Sequence, residues 1–274
     1  MSQIPDIVSC EWLAGQLTNT QLVIVDCRFR LGEPNWGEHS YLKSHIEGSY
    51  YLHLDRDLSS SVSQHGGRHP LPDISSLADK LASMGIIAGE TLVVVYDDMR
   101  FAFAARLWWL LRYLGHDHVA LLDGGWPAWD SLGYPLSDQI PQAKLGKFVP
   151  QPRQDWIMDI EEVKACQNSP STVLIDARDG DRYRGEQEPI DPIAGHIDGA
   201  INAPWKQVTN EQGYLLPLDL QQALWEDYSQ ASEIIVYCGS GVTACVNLFS
   251  LALVGIEGAK LYAGGWSDWC SYLT

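Results

Sequence analysis

The sequence predicts an α/β protein built from two copies of one domain, each a parallel β-sheet flanked by helices. Two observations carry that prediction. Short apolar runs rich in β-branched residues, Leu22–Asp26 (LVIVD), Leu92–Tyr96 (LVVVY) and 119–123 (VALLD), suit strands buried on both faces of a parallel sheet. The same order of motifs then returns about 150 residues later. Val25-Asp26-Cys27-Arg28 matches Ile175-Asp176-Ala177-Arg178 at an offset of 150, and His45-Ile46-Glu47-Gly48 matches His196-Ile197-Asp198-Gly199 at 151. Val95-Tyr96 matches Val236-Tyr237 at 141, and Gly124-Gly125-Trp126 matches Gly264-Gly265-Trp266 at 140. Ordered matches at a nearly constant offset mark a duplicated domain.

Each element follows from its local pattern. Ser9 before Cys10-Glu11-Trp12-Leu13 reads as a helix N-cap, and Asp159 takes the same place before Ile160-Glu161-Glu162-Val163. Residues 101–114 are long enough for a helix and are apolar at Phe101, Ala104, Ala105, Trp108 and Leu111. Between the His45 motif and Asp97 the offset drops by about ten residues, so the first copy carries an insertion. The polar, Gly- and Pro-punctuated stretch 58–72 (LSSSVSQHGGRHPLP) is where it falls. The chain then divides into a first domain over 1–134, a linker over 135–155 and a second domain over 156–274. The linker, with Pro135, Pro141, Pro150 and Pro152, reads as semi-extended or as a strap lying over one domain.

Composition narrows the function. The 274 residues carry a net charge of −17, a field that disfavours nucleic acid and anionic membrane as partners. Nothing approaches the roughly 20 apolar residues of a membrane span. The start, MSQIPDIVSC, has neither a basic segment nor an apolar stretch, so a cytoplasmic protein without a signal peptide is expected. Six cysteines without a Cys-x-x-Cys pair or zinc-finger spacing read as free, mostly buried thiols, with no metal and no cofactor expected.

One cysteine stands apart. The strand Glu233–Tyr237 runs into Cys238-Gly239-Ser240-Gly241-Val242-Thr243-Ala244, after which residues 241–254 read as a helix. Ligands of parallel α/β sheets bind at such strand ends. Gly239 and Gly241 allow successive N–H groups to turn inward as an anion nest, and the helix N-terminus adds positive potential. A cysteine opening this loop is expected to have a lowered pKa and to react as thiolate. The first copy has Asp97-Asp98-Met99-Arg100 at the matching place, with neither thiol nor glycines, and is expected to be inactive. A cysteine phosphatase would need an arginine where Ala244 stands. A thiolate ringed by amides suits an acceptor that gains and passes on a sulfur atom.

The chain resembles the two-domain sulfurtransferases of the rhodanese superfamily over essentially its whole length. The residues that carry the resemblance are Asp26-Cys27-Arg28, His45-Ile46-Glu47-Gly48, Arg68-His69-Pro70-Leu71-Pro72, Gly124-Gly125-Trp126, Arg182-Tyr183-Arg184-Gly185, Gly195-His196-Ile197 and the Cys238 loop. The resemblance implies tandem rhodanese domains, an inactive first and a catalytic second, with the active site between them. It implies sulfur transfer from 3-mercaptopyruvate, or alternatively thiosulfate, through a Cys238 persulfide to a thiol, cyanide or protein acceptor. The loop looks like that of mercaptopyruvate enzymes, since thiosulfate-preferring relatives have an Arg-Lys pair where Gly239-Ser240 stand. The backbone of Gly239, Ser240, Gly241, Val242 and Thr243 would hold the persulfide, and Arg182 the donor carboxylate. The second arginine of mercaptopyruvate relatives has no counterpart here; Asp191 stands in its place. By the same analogy Ser240 would serve the leaving group, His45 would orient Ser240, and Glu33 would be the third member.

Structural readings stand beside these. His45 and His196 recur in both copies, as do Asp26/Arg28 and Asp176/Arg178, so each pair fits a role in holding the fold. Arg68 and His69 lie in the insertion and either line the site or cap it. A rhodanese-like domain can also be a catalytically silent interaction module, a reading that the Cys238 loop opposes.

Overall fold

Strand-forming runs, capped helix starts and a left-handed turn before each of two central helices set the architecture. The computed structural model describes residues 6–273; the residues before Asp6, on which part of the signal-peptide reading rests, lie outside the described residues. The chain forms two units. The first contains the described residues up to Ser60, together with Pro72–Pro152 and Glu211–Leu215. The second contains Ser61–Leu71, Arg153–Asn210 and the described residues from Leu216 onward. Ser61–Leu71, most of the stretch in which the insertion was placed, thus belongs to the second unit although its sequence lies within the first copy.

The first unit runs β1 (Ile7–Val8), α1 (Cys10–Ala14), β2 (Leu22–Asp26), α2 (Trp36–Lys43), β3 (His45–Ile46), β4 (Tyr50–Tyr51), α3 (Ile74–Ser83), β5 (Leu92–Tyr96), α4 (Ala104–Tyr113), β6 (Val119–Leu122), α5 (Gly125–Ser131) and β7 (Leu136–Ser137). The second runs β8 (Ile157–Met158), α6 (Ile160–Cys166), β9 (Thr172–Asp176), α7 (Gly180–Tyr183), β10 (Ile201–Asn202), α8 (Leu218–Trp225), β11 (Glu233–Tyr237), α9 (Ala244–Leu253), β12 (Lys260–Tyr262) and α10 (Gly265–Cys270). The first main sheet is ordered β1-β6-β5-β2-β4 and the second, read from β8, β8-β12-β11-β9-β10. Every neighbour in both is parallel. The two orders correspond strand for strand, so the duplication read from sequence is a duplication of topology.

Local chemistry explains the elements. Ser9 caps α1 by accepting the Trp12 N–H, and Asp159 with Glu162 closes a capping box on α6. All five residues of β2 are buried, which suits its β-branched composition. Helix α4 begins at Ala104 rather than at residue 101, and α9 at Ala244 rather than 241. The same three residues leave the helix in both copies because they form the turn that surrounds the strand end. The stretch 135–152 lies along the first unit, where β7 pairs antiparallel with β3 and Lys144 and Lys147 bridge to Met84 and Ile87, and residues 153–155 belong to the second unit.

Each copy also has an ion pair at its first long strand. Asp26 accepts from the Arg28 backbone N–H (2.8 Å) and side chain, while Asp176 accepts from Arg178 (2.9 Å) in the same way. These four residues hold the strand-to-loop turn, and each arginine also lies over a tryptophan, Trp126 or Trp266.

His116, just after α4, supplies a test of the first unit. It is fully buried and accepts the Gly89 N–H at Nδ1 (3.0 Å). Burial, helped by the neighbouring His118, holds its pKa down at about 4. Because the unfolded chain binds this proton more tightly, the native state loses stability as pH falls from about 6.5 towards 4. His116→Gln should flatten the fall in unfolding free energy over that window, read from urea titrations, to which this residue contributes about 3 kcal/mol in the natural chain. An unchanged pH profile in the variant would show that His116 does not carry the effect.

Candidate active site

The site is built where β11 ends. Cys238 follows the strand and is 2% exposed, and Ser240 is 5% exposed. The carbonyls of Cys238 and Gly239 accept the N–H groups of Trp266 and Ser267 (both 2.8 Å), which pins the loop to the start of α10. Gly241 has φ +70, and a Cβ there would meet Ala263 O at 2.3 Å. The left-handed conformation and the missing side chain are both needed for the loop to turn.

The first copy shows what this turn does. Asp97 is 1% exposed, and its carboxylate accepts four backbone N–H groups: Met99 (2.8 Å), Phe101 (3.1 Å), Phe103 (2.8 Å) and Ala104 (2.9 Å). Burial pushes the Asp97 pKa up, and those hydrogen bonds oppose it. The expectation that this copy lacks an inward-turned nest is therefore corrected. Arg100 (φ 56) and Phe101 (φ 70) adopt the left-handed backbone without glycine, Arg100 at the position equivalent to Gly241. The nest is present and is filled by the chain's own carboxylate. At the offset of 141 the four donors correspond to Ser240, Val242, Ala244 and Cys245, of which the Cys245 N–H donates to Val242 O (3.1 Å).

Around the loop the second unit collects polar groups from two other segments. His69 Nδ1 lies 2.7 Å from Ser240 Oγ, and His69 is 6% exposed. Its segment is fixed to α10, with Asp268 accepting from Gly66 N–H (2.7 Å) and Ser267 Oγ from Arg68 N–H (3.1 Å). Arg182, on α7, donates to Glu188 (2.7 Å) and to Asp191 (3.0 Å). Asp191 also accepts from Arg68, and Glu188 from Arg178 (3.2 Å).

The residues expected at the site are placed as follows. Cys238, Ser240, the loop Gly239–Thr243 and Arg182 all lie within the second unit. His45 does not take the role expected of it: its Nδ1 faces Tyr41 O (2.7 Å) and its Nε2 Gln139 O (3.2 Å), while its ring stacks on Tyr41. Its counterpart His196 repeats this arrangement on Tyr183 (2.7 Å), so both histidines hold helix ends, and the imidazole at Ser240 is that of His69. Glu33 sits on the first unit's surface, 3.4 Å from Arg30 and with its side chain 59% exposed, so it does not act as a buried third member. A signal for His69 was available in the sequence. It lies in the unduplicated insertion, whereas His45 has a twin.

Burial pushes the Cys10 pKa up to about 11 and raises those of Cys27, Cys166 and Cys270, which leaves these four as neutral thiols. Among the described residues no cluster of three or more His, Cys, Asp or Glu is placed to hold a metal ion.

Comparison with known proteins agrees with this geometry. The rhodanese-like domain family matches residues 9–132 and again 159–272. A probable 3-mercaptopyruvate sulfurtransferase of Pseudomonas aeruginosa is 42% identical over 271 residues, covering 96% of this chain and 94% of that protein. A putative thiosulfate sulfurtransferase of Mycobacterium tuberculosis is 37% identical, covering 97% and 94%. The crystal structure of SseA from Escherichia coli, described as a 3-mercaptopyruvate sulfotransferase with the rhodanese fold, superposes with a TM-score of 0.84 at 30% identity, covering 96% and 99%.

The filled nest of the first copy is testable by itself. Asp97→Ala leaves four inward N–H groups without their acceptor and should cost about 3 kcal/mol of stability, read from urea unfolding. Asp97→Asn, which keeps one oxygen, should cost less. A loss below about 1 kcal/mol for Asp97→Ala would mean that the turn does not depend on the carboxylate.

Proposed function

The chain belongs to the rhodanese family as a two-domain sulfurtransferase, and on that premise we propose that it takes sulfur from 3-mercaptopyruvate onto Cys238 and delivers it to a thiol, cyanide or protein acceptor. The Cys238 thiolate attacks the donor sulfur, an S–S bond forms, and the C–S bond breaks with its electron pair going to the pyruvate enolate. The loop amides then stabilise the persulfide anion. An acceptor thiolate or cyanide attacks the outer sulfur and restores Cys238, a ping-pong cycle.

The observation that favours this donor is the 2.7 Å contact between Ser240 Oγ and His69 Nδ1. An enolate leaving group must gain a proton to become pyruvate, and a serine hydroxyl backed by an imidazole can give one. Sulfite leaving from thiosulfate needs no such proton. A cytoplasmic setting fits six free cysteines in a protein of this size, because such thiols persist in a reducing compartment. No described helix is long and apolar enough to cross a membrane. The net charge of −17 argues against nucleic acid as a partner.

Steady-state kinetics with both donors test the reading. Mercaptopyruvate should exceed thiosulfate in kcat/KM by at least about tenfold, or about 1.4 kcal/mol. Ser240→Ala and His69→Gln should each lower turnover with mercaptopyruvate about tenfold or more, while changing that with thiosulfate less than about threefold. Equal or better use of thiosulfate by the natural chain would contradict the donor assignment.

A further inference from the structure

Resting on that sulfur-transfer reading, we propose that Ser267 and Asp268 of α10 are positioning residues: they set the contact between Ser240 and His69 by holding the chain just before each of them. Ser267 does this from both of its polar ends. Its backbone N–H donates to Gly239 O (2.8 Å), the residue before Ser240, and its Oγ accepts the N–H of Arg68 (3.1 Å), the residue before His69. The hydroxyl proton goes to Gly264 O (3.1 Å), which leaves the lone pairs of Oγ for Arg68. One residue thus spans the two segments whose side chains meet at 2.7 Å.

Asp268 adds the second hold. It is 5% exposed, and its oxygens divide the work: Oδ1 accepts the Gly66 N–H (2.7 Å) and Oδ2 the Tyr262 hydroxyl (2.7 Å). Tyr262 is the last residue of β12, so the carboxylate ties the histidine's segment to the sheet itself. Burial, with Asp268 beside it, pushes the Tyr262 pKa up and keeps that hydroxyl a donor. Between the two holds Gly67 passes close over the start of the helix. Its φ is +78, and a Cβ there would lie 2.3 Å from Gly264 O, so the crossing requires glycine.

The first copy shows that the fold itself does not need these two residues. At the offset of 140, Ser267 corresponds to Pro127 and Asp268 to Ala128, while Gly125-Trp126 and Trp129 match Gly265-Trp266 and Trp269. Helix α5 starts as α10 does, with the Trp126 N–H on Asp97 O (2.8 Å) as the Trp266 N–H is on Cys238 O. Proline has neither N–H nor hydroxyl, and alanine has no side-chain acceptor, so neither hold can form there. The packing residues recur in both copies, and the polar pair stands only in the copy with the nucleophile. Proton transfer needs the hydroxyl and imidazole at hydrogen-bond distance, and a misplacement of about 1 Å costs up to about a hundredfold in rate.

Kinetics and the signals of the imidazole test the assignment. Ser267→Ala and Asp268→Ala should each lower kcat with mercaptopyruvate about tenfold while changing KM less than about threefold. In a His69→Gln background the same substitutions should cost less than about twofold more, because their effect passes through the imidazole. Asp268→Asn, which keeps an oxygen for the Gly66 N–H, should retain most of the turnover. Gly67→Ala leaves α10 untouched but lifts the segment, and should reproduce the kcat loss even if Asp268→Ala fails to fold. In proton–nitrogen correlation spectra the His69 ring signals, assigned by their loss in His69→Gln, should move in Ser267→Ala and Asp268→Ala towards their positions in Ser240→Ala. The ring signals of His196 should stay in place. Equal kcat losses with and without His69, or unmoved His69 signals, overturn the proposal. If the natural chain prefers thiosulfate while the His69 signals still move in these variants, the donor reading fails and the positioning role stands.

Discussion

A strand that ends in a left-handed turn and runs into a helix leaves several backbone N–H groups aimed at one side chain, and those groups require an acceptor. Everything specific to this protein depends on how that requirement is met. At Asp97 a carboxylate meets it permanently, with four hydrogen bonds of 2.8–3.1 Å. That nest is occupied by the chain's own carboxylate. At Cys238 the equivalent side chain is a single sulfur atom, which becomes a stable anion only as thiolate or persulfide. The same turn thus surrounds a carboxylate in one copy and a thiol in the other.

The second requirement is to keep buried charges paired in a protein of net charge −17. The second unit meets it with a local row of paired charges rather than a general field. Asp176 and Arg178 repeat the structural pair Asp26 and Arg28 of the first copy. Glu188, Arg182, Asp191 and Arg68 extend that pair towards Gly239 and have no such extension described around Arg28. The second copy thus extends an ion pair that both copies share.

How much of this was legible in the sequence follows from which features are local. The strands Leu22–Asp26, Leu92–Tyr96 and Glu233–Tyr237 and the caps at Ser9 and Asp159 depend on neighbours in sequence and were read directly. The Cys238 loop was legible because glycines advertise a turn. The matching turn at Arg100 and Phe101 was not, because hydrogen bonds to Asp97 hold two non-glycine residues at positive φ against their intrinsic preference. The histidine of the site was misplaced for a related reason. His45 sits in a shared motif, but sharing it with His196 marks a role in folding, whereas His69 lies 171 residues from Ser240 and meets it only in three dimensions.

The central claim is that Cys238 carries the sulfur in flight, and peptide mass spectrometry tests it most directly. The protein is treated with the donor, without any acceptor, and digested under non-reducing conditions. The peptide containing Cys238 should gain about 32 Da, one sulfur atom, and should lose it on addition of cyanide. In the same digest Cys10, Cys27, Cys166 and Cys270 should remain unmodified. Added sulfur assigned to Cys245, or to none of the six cysteines while turnover continues, would contradict the account.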